Sequence, residues 1–307
     1  MKNQEAAATN QSAPLNSAPF NMDWFVTSWF VILHLIALIG PFYLFSWGAV
    51  ATGFALYIVT GMLGITLGYH RLLTHRSFKS PRWVERVLAT CGVLALQGSP
   101  LDWVAGHRMH HSFVDDGKDP HNARRGFWWS HIGWMCRINP DIRDRDRLKK
   151  FARDVVADGY LNWLTGAIPQ LFIQIATGLI LLAVGGWSYV VWGIFVRLAV
   201  TYHVTWFVNS ASHKFGYRNF ETGDLSTNCW WVGILAFGEG WHNNHHAYPD
   251  VARAGLKWWE FDLTYMTIRL MKVFGLAYDI KLPTDKATAE PVTLIAEEPA
   301  PAEQAVI

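Results

Sequence analysis

The sequence predicts an all-α integral membrane protein with four transmembrane helices in two hairpins. Three observations predict it. Only 16% of the 307 residues are charged and 51% are hydrophobic, whereas a soluble domain carries about 25% charged residues. Residues 24–70 and 159–196 contain no Asp, Glu, Lys or Arg, and each stretch is long enough for two crossings, or nearly so, at roughly 20 residues per span. No Lys or Arg falls in either expected hairpin turn, so the basic residues, Arg197 apart, gather on one face. That asymmetry makes the basic face cytoplasmic.

Residues 1–22 read as a polar N-terminal segment without the charged, apolar and cleavage regions of a signal peptide. The first hairpin is expected at Phe25–Phe45 and Ala49–Gly68, turning at Ser46, Trp47 and Gly48. The second is expected at Leu161–Val184 and Trp187–Val208, turning at Gly185 and Gly186. Arg197 lies within the fourth span, where pairing inside the bundle or snorkelling accounts for it. Val87–Leu96 and Trp230–Phe237 are too short to cross and are expected to lie at the interface. The tail 283–307, rich in Ala, Glu and Pro, reads as disordered. Both termini then lie in the cytoplasm.

A net charge of +2 gives no basic patch for nucleic acid, and three scattered cysteines make neither a disulfide framework nor a paired-cysteine metal site. The 13 histidines are the unusual feature. His107, His110 and His111, and again His242, His245 and His246, fall at i, i+3 and i+4, which is one face of a helix. At this histidine frequency about 0.02 such triplets are expected by chance, so the two observed call for a shared partner. A metal is that partner, because neutral imidazole suits Zn, Cu, Fe and Ni. Eight or nine histidines exceed one site's needs, so two metals are expected. His70 and His75, five residues apart, are about 140° apart on an α-helix and would serve different metals.

Acids are needed to offset the metal charge. Asp115, Asp116 and Asp119 follow the first triplet, and Glu239 precedes the second. Glu239 and Asp119 are the expected acceptors for imidazole N–H groups. Asn209, four residues before His213 on the same helical face, is placed to reach the metals directly or through a water. His34 reads as a packed or polar-bridging residue of the first span. His121 and His131 are either backing groups or interfacial. No HExxH motif is present to supply a hydrolytic zinc site with its carboxylate base. Redox iron at the membrane face suits oxygen activation against a C–H bond of a lipid chain.

HRLLTH at 70–75, HRMHH at 107–111 and HNNHH at 242–246, with GITLGYHR, DPHNARRGFWWSHIGWM, WFVNSASHKFGYR and GEGWHNNHH around them, resemble the membrane fatty acyl desaturases of the stearoyl-CoA and bacterial acyl-lipid Δ9 type. The resemblance covers about residues 50–282, within a membrane domain taken as 23–282. It implies four membrane helices under a cytoplasmic helical cap and a diiron centre. The implied ligands are His70, His75, His107, His110, His111, His213, His242, His245 and His246, with Asn209 holding a metal-bound water. It also implies O2-dependent insertion of a cis double bond, with electrons from a separate ferredoxin or cytochrome b5. Arg124, Arg125 and the run Arg143 to Arg153 are candidates for docking that carrier, or for a solvated, headgroup-binding face. Animal acyl-CoA enzymes carry an Arg-Asp pair where this chain has Ala105 and Gly106, which favours an acyl-lipid over an acyl-CoA substrate. Trp103 is expected to line the substrate tunnel near the metals, and Phe54 and Ile58 its far end. A related histidine-box hydroxylase or ketolase is the alternative. A non-enzymatic metal-binding membrane protein is a distant one, since it would place polar ligands along the spans.

Overall fold

A computed structural model describes residues 21–283. The expected N-terminal segment, except Asn21 and Met22, and the expected tail, except Pro283, lie outside the described residues. Among those described there are helices and isolated bridges but no strand, and three helices are long and apolar enough to cross a membrane.

Asp23 caps the first, Trp24–Tyr43, by accepting the Val26 N–H at 3.2 Å. Ser46 caps the next, accepting the Ala49 N–H at 3.1 Å, so the first turn spans residues 44–46 and Trp47 and Gly48 already belong to the second helix. That helix is α-helical from Trp47 to Tyr57 and π-helical from Ile58 to Thr74. The third long apolar helix runs Ala167–His213. It begins at Ala167 rather than at Leu161, because Asp158 caps a separate helix, Gly159–Leu164, whose Leu161 and Leu164 are buried.

Gly185 and Gly186 leave helical geometry, Gly186 at φ +68°, a region open to glycine without penalty. A Cβ on Gly193 would lie 2.8 Å from Leu181 Cδ1, and one on Gly178 3.5 Å from Ile194 Cδ1. The chain therefore folds back on itself at the two glycines. The two apolar hairpins meet where Gly53 lets the Trp192 carbonyl within 2.8 Å of where a Cβ would stand. Large apolar side chains such as Phe25, Phe42 and Ile168 stay exposed along these helices, as surfaces facing hydrocarbon do.

Polar groups inside this bundle are partnered. Arg197 is buried, its Nε donating to Gly193 O at 2.9 Å and a terminal nitrogen to Leu94 O at 2.7 Å. His34 Nε2 meets His203 Nε2 at 3.0 Å, His203 Nδ1 meets His131 Nε2 at 3.0 Å, and His131 Nδ1 meets Ser210 Oγ at 2.9 Å. This chain of three imidazoles ties the first apolar helix, the central segment and the last apolar helix together.

The remaining helices gather around the C-terminal end of the Trp47–Thr74 helix. Arg82–Leu94 packs along it, close enough that a Cβ on Gly64 would lie 2.5 Å from the Cys91 backbone. Pro100–Ser112 starts in a Ser99–Asp102 capping box with Pro100 in its first turn. Leu263–Val273 covers the other side. The expected interfacial piece Trp230–Phe237 is a helix, Trp230–Leu235, with Trp230, Ile234 and Leu235 exposed.

Candidate metal centre

The first box lies on the π-helical segment. His75 N–H donates to the His70 carbonyl at 3.1 Å, an i to i+5 bond that stacks residues five apart. His70 and His75 therefore share a side, with ring centroids 4.7 Å apart. The α-helical angle had placed them apart, to serve different metals. The π winding removes that separation and puts both in one group.

The second and third boxes divide in opposite senses. From Pro100–Ser112, His107 and His111 join His70 and His75, while His110 turns to a second group. From the short helix His242–Ala247, His242 and His246 enter the second group and His245 crosses to the first. His213, on the turn Ala211–His213, completes the second. The groups are thus His70, His75, His107, His111 and His245, and His110, His213, His242 and His246, with the ligand atoms of each lying within 4.8 Å of one another. A triplet does not share one partner, as its spacing suggested. Each triplet straddles two.

The Nε2 atoms face each other at short range. His70 and His245 are 3.2 Å apart, His75 and His107 3.1 Å, His107 and His111 3.1 Å, and His111 and His245 3.0 Å. In the second group His213 and His242 are 3.1 Å apart and His110 and His246 3.4 Å. Asp119 Oδ2 lies 3.0 Å from His110 Nδ1 and Asp224 Oδ2 2.8 Å from His246 Nδ1. The Nδ1–H groups of His110 and His246 are committed to carboxylates, so once both rings are neutral their opposed Nε2 atoms present lone pairs to each other. Lone pairs converging in a buried site repel unless a cation lies between them, and imidazole nitrogen suits a transition metal. The residues present fit a pair of metal ions.

Behind the rings stand four carboxylates. Besides Asp119 and Asp224, Asp115 Oδ2 is 3.5 Å from His213 Nδ1, and Glu239 Oε2 is 2.9 Å from His70 Nδ1, the last two without an aligned hydrogen bond. Glu239 also accepts from Arg71 Nε at 3.0 Å, and Arg71 reaches Asp262 at 2.9 Å. Asp116 is exposed and touches no histidine. Asp224 was not legible as a site residue: it lies 22 residues from His246, with no helical spacing to announce it. His121 backs the second group, its ring 4.3 Å from that of His110.

Burial, followed by neighbouring imidazoles, holds His75, His107, His111, His242 and His245 well below the ordinary histidine value. His246 is lowered to about 4, with burial dominant over its bond to Asp224. Burial also acts to lower His110, but the charge and hydrogen bond of Asp119, with Asp115 and Asp224, outweigh it and raise the value. Without a metal, the lowered groups contribute stability that is present above about pH 6.5 and lost as pH falls towards their folded values. His110 opposes this as a single group. Metal-stripped protein in detergent is therefore expected to melt at progressively lower temperature from pH 7.5 to 5.5. A flat melting profile over that range would contradict the buried, neutral site.

Two cavities border the centre. One is lined by Tyr57, Gly61, Ile65, Thr66 and His70 of the second helix, by Thr201, Val204, Thr205 and Val208 of the last, and by Phe237. The other runs past Gly106, Trp134 and Trp206 to Asp23, Asp102, Arg137 and Arg143. Trp103, His107, Thr205 and Asn209 line both, and the Trp103 ring stacks on His107 with centroids 5.1 Å apart. Phe54 and Ile58 line neither cavity, and Phe54 is 63% exposed. Stepping back from His70 at 3.6 residues per turn leads to the wrong face, because the intervening helix is π-wound. The lining steps through 70, 66, 65, 61 and 57 instead.

A model of the fatty acid desaturase family matches residues 45–270. Over 242 residues the sequence is 54% identical to the sn-1 stearoyl-lipid 9-desaturase of Anabaena variabilis, covering 79% of this chain and 87% of that one. It is 53% identical over 259 residues to the protein of the same name from Synechocystis sp., covering 84% and 80%. It is also 47% identical over 247 residues to the sn-2 palmitoyl-lipid 9-desaturase of Nostoc sp., covering 80% and 86%.

Proposed function

The chain belongs to the fatty acid desaturase family, a Δ9 acyl desaturase by its likeness to these relatives, and on that premise we propose that it acts on lipid-linked saturated acyl chains through two iron ions held by the nine histidines. The observation that carries the metal reading is the pair of histidine groups whose imidazole nitrogens converge beside two cavities that share lining residues. Bound by these histidines, iron would supply oxygen activation for a reaction in which two hydrogens from adjacent acyl carbons, O2, two protons and two electrons from a reduced ferredoxin or cytochrome b5 give the double bond and two waters.

The chain's own residues position the substrate. The apolar cavity takes the methyl end, and Trp103 and the last apolar helix hold the carbons to be desaturated against the centre. The second cavity, which runs to Asp23, Asp102, Arg137 and Arg143, takes the carboxyl end and leads towards the headgroup. Asn209, lining both, is placed to hold a water at the centre. Ala105 is buried and Gly106 lines the second cavity, so neither supplies a charge for a coenzyme A group, which favours the lipid-linked substrate. Arg143, Arg145, Arg147 and Lys149 each pair with an aspartate, Asp23, Asp102, Asp141 and Asp146, which leaves that run a weaker field for an acidic carrier than its sequence suggested.

We read the membrane topology as four crossings in two hairpins. The histidine centre and both termini lie on the cytoplasmic side of a bacterial inner membrane, within a domain of residues 23–282. The absence of Lys and Arg from both turns supports it.

The test is the fatty-acid profile, with double-bond location, of a desaturase-deficient host expressing the chain. New Δ9 monounsaturated chains on membrane lipids support the reading. Hydroxylated products would overturn it in favour of a hydroxylase. Chain length offers a second check. A Cβ on Gly61 would lie 3.2 Å from the Phe237 ring and 3.4 Å from that of Tyr57, so Gly61→Leu closes the apolar cavity early. The variant is expected to shift the product ratio from 18-carbon towards 16-carbon chains by at least about tenfold, since each methylene refused is worth about 1–3 kcal/mol. An unchanged ratio would place the methyl end elsewhere.

A further inference from the structure

Resting on the two-metal reading above, we infer that the two positions are electrostatically unequal, the four-histidine position keeping its ion more tightly than the five-histidine position.

The four-histidine group has three carboxylates directly behind its rings, Asp119 on His110, Asp224 on His246 and Asp115 near His213. Their remaining contacts are neutral donors. Asp119 accepts the Asp115 and His121 N–H groups, Asp115 those of Leu225 and Ala123, and Asp224 the Ser226 N–H and the Thr222 hydroxyl. Among the described residues no Lys or Arg forms an ion pair with any of the three.

The five-histidine group has one carboxylate, Glu239, and Arg71 holds its other oxygen. Asp262 returns one negative charge to Arg71 from the far side. A second guanidinium stands close by: Arg108 donates to the carbonyls of Leu73 and Thr74, next to His75, and pairs with Asp154. Around neutral imidazoles, a divalent ion therefore meets three uncompensated carboxylates in one group and a carboxylate partly neutralised by arginine in the other.

The five-histidine group has one more nitrogen donor, which works the other way. Carboxylates that back metal-bound histidines are typically worth 10–100-fold in affinity each. Three against one shared carboxylate outweighs one imidazole, and it sets the order of loss.

The test loads metal-free protein with Zn2+, titrates it with EDTA, and counts zinc per chain after desalting. Zinc binds imidazole sites without redox chemistry. The expected curve falls from two to one, holds a plateau at one across at least a tenfold range of EDTA, and then falls to zero. Asp224→Asn is expected to shorten the plateau by 10–100-fold in EDTA, and Asp115→Asn, whose aspartate sits at the longer contact, does the same if Asp224→Asn does not fold. Glu239→Gln is expected to lengthen it by weakening the first ion lost. Two ions leaving together in the unaltered protein, or a plateau lengthened by the aspartate variants, would overturn the inequality while leaving the two-metal reading standing. A chain that takes up no zinc would overturn both.

Discussion

His110→Ala is expected to abolish the new monounsaturated chains and to lower the metal content from two ions per chain towards one. His110 is buried, and it stands between the second group and Asp119. Its loss removes one of four nitrogens and also strips the rings of their contact with Asp119. Loss of a single backing partner typically weakens a metal site 10–100-fold, and loss of the ligand itself exceeds that. Product in the desaturase-deficient host should therefore fall by at least about 100-fold. Fold and chemistry are separable here, because Asp119 keeps two backbone donors, the N–H groups of Asp115 and His121. The variant should accumulate in membranes at a level close to that of the unaltered chain. Full activity in His110→Ala would remove the second group from the reaction.

Arg71→Met is expected to have the largest effect on folding. Arg71 is 3% exposed and bonds to Glu239, Asp262 and the Ala252 carbonyl. It stands on the π-helical segment and joins it to the loop before the third box and to the cap of Leu263–Val273, where Asp262 accepts the Tyr265 N–H. Asp262 also accepts the Ala254 N–H at 2.8 Å. Removing the cation leaves two buried carboxylates unpaired, and breaking a buried ion pair from one side costs about 3–5 kcal/mol. The expected result is a large drop in the fraction of protein that stays monodisperse after heating in detergent. Adding Glu239→Gln to Arg71→Met should recover part of it, since one of the two stranded charges is gone. If Arg71→Met were as stable as the unaltered protein, the triad would be a bystander.

The apolar hairpins and the histidine boxes were legible because both are written in local sequence. An uncharged run of 47 residues is a span signal wherever it occurs, and histidines at i, i+3 and i+4 share a face whatever the rest of the chain does. What escaped was of two kinds. Local winding escaped first: nothing in Ile58–Thr74 announces π geometry, so angles reckoned at 3.6 residues per turn separated His70 from His75 and sent the tunnel to Phe54 and Ile58. Partners remote in sequence escaped next. Asp224 reaches His246, and His34 reaches His203 across 169 positions, only because the chain folds first. The aspartates Asp115, Asp116 and Asp119 show the limit between the two, since all three follow the second box closely and burial selects Asp115 and Asp119.

The way the two triplets straddle both groups constrains how the protein is made. The five-histidine group needs His70 from the second helix and His245 from a segment 175 residues later, and the four-histidine group draws on His110 and on His246, 136 residues later. Neither site exists while the chain is still emerging from the ribosome, and the first hairpin must enter the membrane long before its histidine meets a counterpart. A metal bound by these groups would therefore hold together segments 136 and 175 residues apart, and neither group could be completed before the third box is made.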